Sequence, residues 1–297
     1  MIENLNSCTI CPHSCKVNRN NGQVGRCKCN DKIKIGLYSL HKFEEPCISG
    51  KNGSGTIFFT NCNLNCIYCQ NYMISQKQNG KEITIEELAD IFLTQQKNGA
   101  ENINLVTPTM YVYQIIEAIK ISRKNGLVLP IIYNTNAYET QKTIKLLNGY
   151  VDVYLPDFKY FDNSLGEKYS NVKNYFEIAS KSIMEMYMQV GLPKFSSNGM
   201  IKKGVIIRHL VLPNNIENTK NILNWIKENL PSKTYVSLMA QYFPTYKAKE
   251  NDELNRKLTK EEYEEVLNYL YSLNLENGYF QELGSHEEEY VPDFNLK

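Results

Sequence analysis

Residues Gly55 to Tyr72 read GTIFFTNCNLNCIYCQNY, and this stretch decides the fold. Its opening apolar run, bounded by polar residues, has the pattern of a strand buried on both faces. The loop that follows carries Cys62, Cys66 and Cys69 in the spacing C-x3-C-x2-C. Three sulfurs cannot all pair as disulfides, and a closed structural zinc site needs four ligands. Such a loop can instead wrap three corners of an iron–sulfur cubane and leave one iron open to an outside ligand, since soft thiolates suit these clusters. Unconnected thiols, or part of a zinc site, are the alternatives that the spacing leaves open.

Beyond the loop, strand-like and helix-like segments alternate. TIEELADIFLTQQKNG predicts a helix opened at Thr84 by a capping box with Glu87 and closed at Gly99. Strands are expected at NINLV, PIIYN, VDVYLP, GVIIRHLVLP and YVSLM, with helices between them, one from about Asn174 to Val190 and another capped at Thr259 by Glu262. With GTIFF these make six βα units. The expected class is α/β, a partial (β/α)6 TIM-like barrel with a cysteine-rich N-terminal appendage, and an open doubly wound sheet is the rival. The expected division is residues 1–53 for the appendage and 54–297 for the barrel.

Lys plus Arg (33) nearly cancel Asp plus Glu (32), so charge gives no reason to expect nucleic acid or a membrane as partner. No signal peptide or membrane-length apolar run is apparent, and a cytoplasmic location is expected. In a reducing compartment, clustered thiols mean metal or redox chemistry more often than staples. Cys8, Cys11, Cys15 and Cys27 form C-x2-C-x3-C-x11-C, enough for zinc or a second iron–sulfur cluster, with Cys29 as a spare or an alternative to Cys27 and loose thiols as the other reading. His13 reads as a turn residue in that run. Cys47 reads as a core thiol or as a redox or hydrogen-atom group near a radical. His41, His209 and His286 read as structural.

CNLNCIYC, with Tyr68 before its last cysteine, resembles the signature of the radical S-adenosylmethionine (SAM) superfamily. EEPCISG (44–50), YLPDFKY (154–160), RHLVLP (208–213) and SLMAQYFPTYKA (237–248) resemble its branch similar to pyruvate formate-lyase activating enzyme, so the likeness runs from about Cys8 to Phe294. The resemblance implies a [4Fe–4S] cluster on Cys62, Cys66 and Cys69, whose open iron is chelated by the SAM amino and carboxylate groups. Reductive cleavage then yields a 5′-deoxyadenosyl radical that abstracts hydrogen from a protein or peptide substrate, glycyl radical enzyme activation being one such reaction. Radical modification of a peptide side chain or a small molecule is the alternative. An iron–sulfur electron carrier is the reading of another class. A reductant such as flavodoxin or ferredoxin is the implied partner.

Polar groups also follow the other expected strands, where a parallel barrel collects its ligand groups. They are Thr107 and Thr109 in TPT, Asn134, Thr135 and Asn136 in NTNAY, and Asp157 and Lys159 in PDFK; Arg208 lies within the fifth strand and Gln241 just past the sixth. With Tyr68, the residues from Thr107 to Arg208 in this set are the expected SAM contacts. The structural alternatives are helix caps for the threonines, turn formers for the asparagines and an ion pair for Asp157 and Lys159. The sequence departs from the family pattern at three places. Asn134 stands where activating enzymes carry an Asp for a monovalent cation, Met110 where this branch has His, and Ala137 where Gly is common. The appendage precedes the cluster loop, whereas activating enzymes carry any ferredoxin-like insert after it, and one place for it is over the open end of the barrel as a lid.

Overall fold

The computed structural model describes residues 2–275, 277–281, 283, 292 and 294; His286 lies outside them. Among the described residues ten strands form one sheet: β1 (Ile33–His41), β2 (Ser54–Phe59), β3 (Lys81–Ile83), β4 (Ile103–Val106), β5 (Ile131–Thr135), β6 (Val153–Pro156), β7 (Lys194–Phe195), β8 (Ile201–Leu210), β9 (Tyr235–Met239) and β10 (Asn277–Phe280). Their order is β10-β9-β8-β6-β5-β4-β2-β1-β3, with β7 paired to β8. The run from β2 to β10 is parallel throughout. Six of these strands are those of the expected βα units, and β10 adds a seventh strand to the parallel run. The path has two ends, so this is a partial TIM-like barrel.

The helices are α1 (Pro46–Ser49), α2 (Tyr72–Ser75), α3 (Ile85–Lys97), α4 (Val112–Lys124), α5 (Gln141–Leu146), α6 (Asn163–Ser170), α7 (Tyr175–Val190), α8 (Ile216–Asn229) and α9 (Lys260–Ser272). Both predicted capping boxes form, Thr84 with Glu87 and Thr259 with Glu262. Each satisfies helix N–H groups that would otherwise lack partners. Every residue of β2, β4, β5 and β6 is buried, as a sheet covered on both faces requires.

The two faces of the sheet are filled differently. Ile131, Tyr133 and Tyr154 belong to the large core shared with the helices. The alternate residues Ile132, Val153, Leu155 and Ile206 pack instead against Cys47 and Ile48 of α1. The segment EEPCIS therefore plugs the inner face, and Asn102 pins it by donating to the Ile48 carbonyl at 2.7 Å. β1 lies within residues 1–53, yet it pairs antiparallel with β2 from Ile35 to His41.

Residues 2–32 contain only two 3-10 turns, Ile2–Ser7 and Arg19–Asn21. They pack behind the loops that follow β2, β4 and β5: His13 Nε2 lies 2.8 Å from the Asn63 carbonyl, and Arg19 donates to the carbonyl of Met110. No helix is long and apolar enough to cross a membrane among the described residues.

Candidate active site

The cysteine loop leaves the C-terminal end of β2 and is clamped from two sides. Asn65 and Ile67 donate backbone N–H groups to the Ser170 and Tyr169 carbonyls at the end of α6, and the Ile67 carbonyl accepts from the Ala248 N–H. Each sulfur then meets a donor of its own. Cys62 accepts from the Leu64 N–H (3.3 Å) and Asn136 Nδ2 (3.4 Å), Cys66 accepts from Ser170 Oγ (2.9 Å), and Cys69 lies 3.2 Å from Ser75 Oγ. Behind Cys66 the chain of hydroxyls continues from Ser170 to Tyr160 (2.7 Å) and Tyr68 (2.6 Å).

All three sulfurs face one cavity of about 220 Å³. Tyr68, Thr107, Asn134, Thr135, Asn136, Asp157, Lys159, Arg208 and Gln241 line it as well, so strand ends far apart in sequence meet here. Lys159 Nζ donates to Asp157 Oδ2 at 2.9 Å. Burial by itself would lower the lysine; the charges of Asp157 and Cys66 outweigh it and hold the ammonium above its ordinary range, so Lys159 is a cation. Tyr175 ties the same corner together, its hydroxyl lying 2.7 and 2.9 Å from the Asp157 and Asn136 carbonyls, which share its one proton. Thr107 (φ 59°) and Ala137 (φ 61°) hold left-handed backbone at the ends of β4 and β5, a conformation unfavourable for both residue types.

Two expected site residues lie elsewhere. Thr109 neither lines the cavity nor caps a helix: fully buried, it donates to Glu139 Oε1 at 2.6 Å. Cys47 sits in the plug on the inner face, and burial raises its thiol to about 11, which suits a core thiol. Met110 is buried in the core. Of the appendage, residues 1–53, His41, Phe43 and Glu44 reach the cavity among the described residues, while its first cysteines lie behind the cysteine loop.

Several residues of the site went unforeseen. Arg208 is held by Glu44 Oε2 (3.1 Å) and Glu45 Oε1 (3.0 Å), and Asn104 donates to Glu44 Oε1. Glu44 lines the cavity with His41, Phe43 and Phe58. The signal was two acidic residues before a proline in an otherwise apolar plug, and only the fold supplies their cation. Glu139, also unforeseen, does not line the cavity but sits behind Thr135, which does. It accepts hydroxyls of Thr109, Tyr133 and Thr135 on a single oxygen, and burial raises its carboxyl from 4.5 to about 7.

The folded state thus holds a proton on Glu139 that the unfolded chain has released between pH 4.5 and 7. Stability from this group is full below 4.5, falls as pH rises through that window, and is lower by about 3 kcal/mol above it. Glu139→Gln is expected to raise the melting temperature at pH 8 and to match wild type at pH 5, read by thermal scans at both values.

The family model of the radical SAM superfamily matches residues 56–226, which include the cysteine loop and the cavity from β2 to β8. The chain belongs to the radical SAM superfamily. It is 37% identical over 284 residues to an uncharacterised protein of Methanocaldococcus jannaschii, MJ0674, covering 91% of this chain and 76% of that protein. A second protein of that organism, MJ0808, is 25% identical over 331 residues, covering 99% and 90%. Among solved structures, the FeFe-hydrogenase maturase HydG of Carboxydothermus hydrogenoformans aligns with a TM-score of 0.53 at 14% identity, over 78% of this chain and 54% of that one. Streptococcus suis SuiB bound to its precursor peptide SuiA aligns with 0.52 at 15%, over 75% and 47%. The enzyme anSMEcpe with bound AdoMet aligns with 0.51 at 14%, over 74% and 61%. These structural likenesses show a shared fold.

A radical SAM enzyme implies a [4Fe–4S] cluster and SAM, and the donors here fit both. Three sulfurs on one cavity wall leave a cubane one open iron. Burial is the main reason that the three thiols sit above the ordinary cysteine range, Cys69 at about 11. Bound iron reverses that, because coordination deprotonates a thiol outright. Lys159 and Asp157 offer the polar, charged corner that an amino acid cosubstrate needs.

Proposed function

We propose that this chain cleaves SAM reductively at a [4Fe–4S] cluster held by Cys62, Cys66 and Cys69, and uses the radical to take hydrogen from a protein or peptide substrate. One observation carries the reading: the three sulfurs and the Asp157–Lys159 pair share a cavity at the C-terminal ends of parallel strands. An electron carrier has no need of such a pocket. When bound, the cluster supplies the electron that breaks the sulfonium bond.

The protein's own groups bind and orient. Lys159, a buried cation, takes the carboxylate end of SAM, and Asp157 keeps that ammonium in place. Tyr68, Thr107, Asn134, Thr135 and Asn136 surround the rest. Arg208, fixed by Glu44 and Glu45, keeps its fork at the cavity wall. Phe58 and His41 supply an aromatic wall, ring centroids 5.9 Å apart, that keeps water from the reacting atoms. Phe43, 53% exposed and also lining the cavity, offers an apolar contact at its mouth for a peptide. The class of substrate matches what SuiB binds, and glycyl radical enzyme activation is the finer reading within it.

The test is anaerobic reconstitution with iron and sulfide, reduction by dithionite with SAM, and assay for 5′-deoxyadenosine. Product formation is expected; a stably reduced cluster that leaves SAM intact would make the chain an electron carrier. Coexpression with candidate glycyl radical proteins, read by electron paramagnetic resonance (EPR), separates backbone activation from side-chain modification. Lys159→Met is expected to weaken SAM binding about 10- to 100-fold, the worth of a charged hydrogen bond. Equilibrium dialysis of the reconstituted protein checks it, and an unchanged affinity removes Lys159 from the site.

A further inference from the structure

Phe294 packs at the wall of the active-site cavity, apart from the main core. It is 4% exposed and forms a small cluster with Phe58, Ile74 and Val106, around which Leu37 and Met73 pack. Phe58, Ile74 and Val106 also line the cavity, as does Pro292, two residues before Phe294. The seat of this ring therefore lies beside the site: Ile74 is in α2, just after the cysteine loop, and Val106 precedes Thr107. Gln281 is held elsewhere, at the end of β9, where its Nε2 donates to Gln241 Oε1 at 2.9 Å. In the sheet β8, β6 and β5 stand between β9 and β4, so Gln281 and Phe294 meet the cavity from different sides.

An aromatic track leads to the seat. Phe43, exposed at the mouth, meets His41 with ring centroids 5.5 Å apart; His41 meets Phe58 at 5.9 Å, and Phe58 meets Phe294 at 5.4 Å. The interplanar angles are 72°, 89° and 74°, so all three contacts are edge-to-face. Such pairs are worth more than their buried area alone, and a seat built on them favours a ring over an aliphatic group. His41 and Phe58 are set by β1 and β2, whereas Phe294 lies outside every strand and helix. The occupant at the buried end of the track is thus the member that the sheet does not fix.

We propose that Phe294 is the chain's own occupant of a substrate seat: it holds the place of an aromatic side chain of the peptide substrate, and the substrate displaces it. Exchange of one ring for another keeps Phe58, Ile74 and Val106 covered, whereas simple departure of Phe294 would expose them to water. The inference rests on the peptide reading of the substrate and adds to it the side chain that is recognised. It makes Phe294 an autoinhibitory contact beside the SAM groups, released by the substrate itself.

The test is calorimetric titration of the full chain, purified anaerobically, with the peptide Ac-Gly-Phe-Gly-NH2. An internal occupant lowers the apparent affinity by the fraction of time that the seat is empty. Phe294→Ala is therefore expected to bind this peptide about 10- to 100-fold more tightly than wild type, the worth of one buried aromatic side chain. Ac-Gly-Ala-Gly-NH2 is expected to gain nothing. Equal affinity of the two proteins for the Phe peptide would overturn the displacement, and an equal gain for the Ala peptide would overturn the aromatic seat. If Phe294→Ala does not fold, hydrogen exchange of wild type decides. The Phe peptide is expected to raise deuterium uptake in the segment that carries Phe294, and unchanged uptake overturns the proposal. Neither readout involves SAM or its cleavage, so the seat and the radical reading fail separately.

Discussion

Cys66→Ala is expected to abolish 5′-deoxyadenosine formation and to leave the fold standing. Cys66 is the middle sulfur of the loop and the one bonded to Ser170, so its loss leaves two ligands from the loop, too few to hold a cubane. The structural cost is small. The backbone of the loop is still tied to Ser170, Tyr169 and Ala248 by N–H···O bonds, and the Ser170 hydroxyl keeps Tyr160 as partner. Circular dichroism and gel filtration should match wild type while iron content and SAM cleavage collapse together. Turnover that survives would end the cluster assignment at this loop.

Arg208→Leu is expected to destabilise the protein by about 3–5 kcal/mol, since removing one partner of a buried pair leaves uncompensated charge. Two carboxylates are at stake: the side chains of Glu44 and Glu45 are 7% and 4% exposed, and that of Arg208 12%. Breaking them also loosens the plug, because the next residues are Pro46, Cys47 and Ile48 on the inner face. Anaerobic urea unfolding reads the loss. Adding Glu44→Gln and Glu45→Gln to Arg208→Leu is expected to restore part of it, because the buried charges are then gone. A loss below about 1 kcal/mol, the range of exposed pairs, would show that the plug does not depend on this cation.

The order of elements was legible because each rests on neighbours in the chain. The capping boxes at Thr84 and Thr259 span three residues, and the apolar runs of β2, β4, β5 and β6 announce burial by themselves. The cysteine loop is likewise a local pattern, and the groups after each strand followed from the rule that parallel strands deliver their ends to one side. That put Asn134, Asn136, Asp157 and Lys159 on the cavity wall.

Only tertiary structure could decide what meets across long stretches of chain. Thr109 and Thr107 are two residues apart, yet a 3-10 turn sends Thr109 to Glu139 and leaves Thr107 at the cavity. Ser170 reaches Cys66 across 104 residues, and Arg208 finds Glu44 and Glu45 across more than 160. The segment that carries Cys47 became a plug because the inner face of the sheet needed filling. Spacing determines which local element forms; the partner of a buried charge or sulfur depends on how those elements pack, and no local pattern records it.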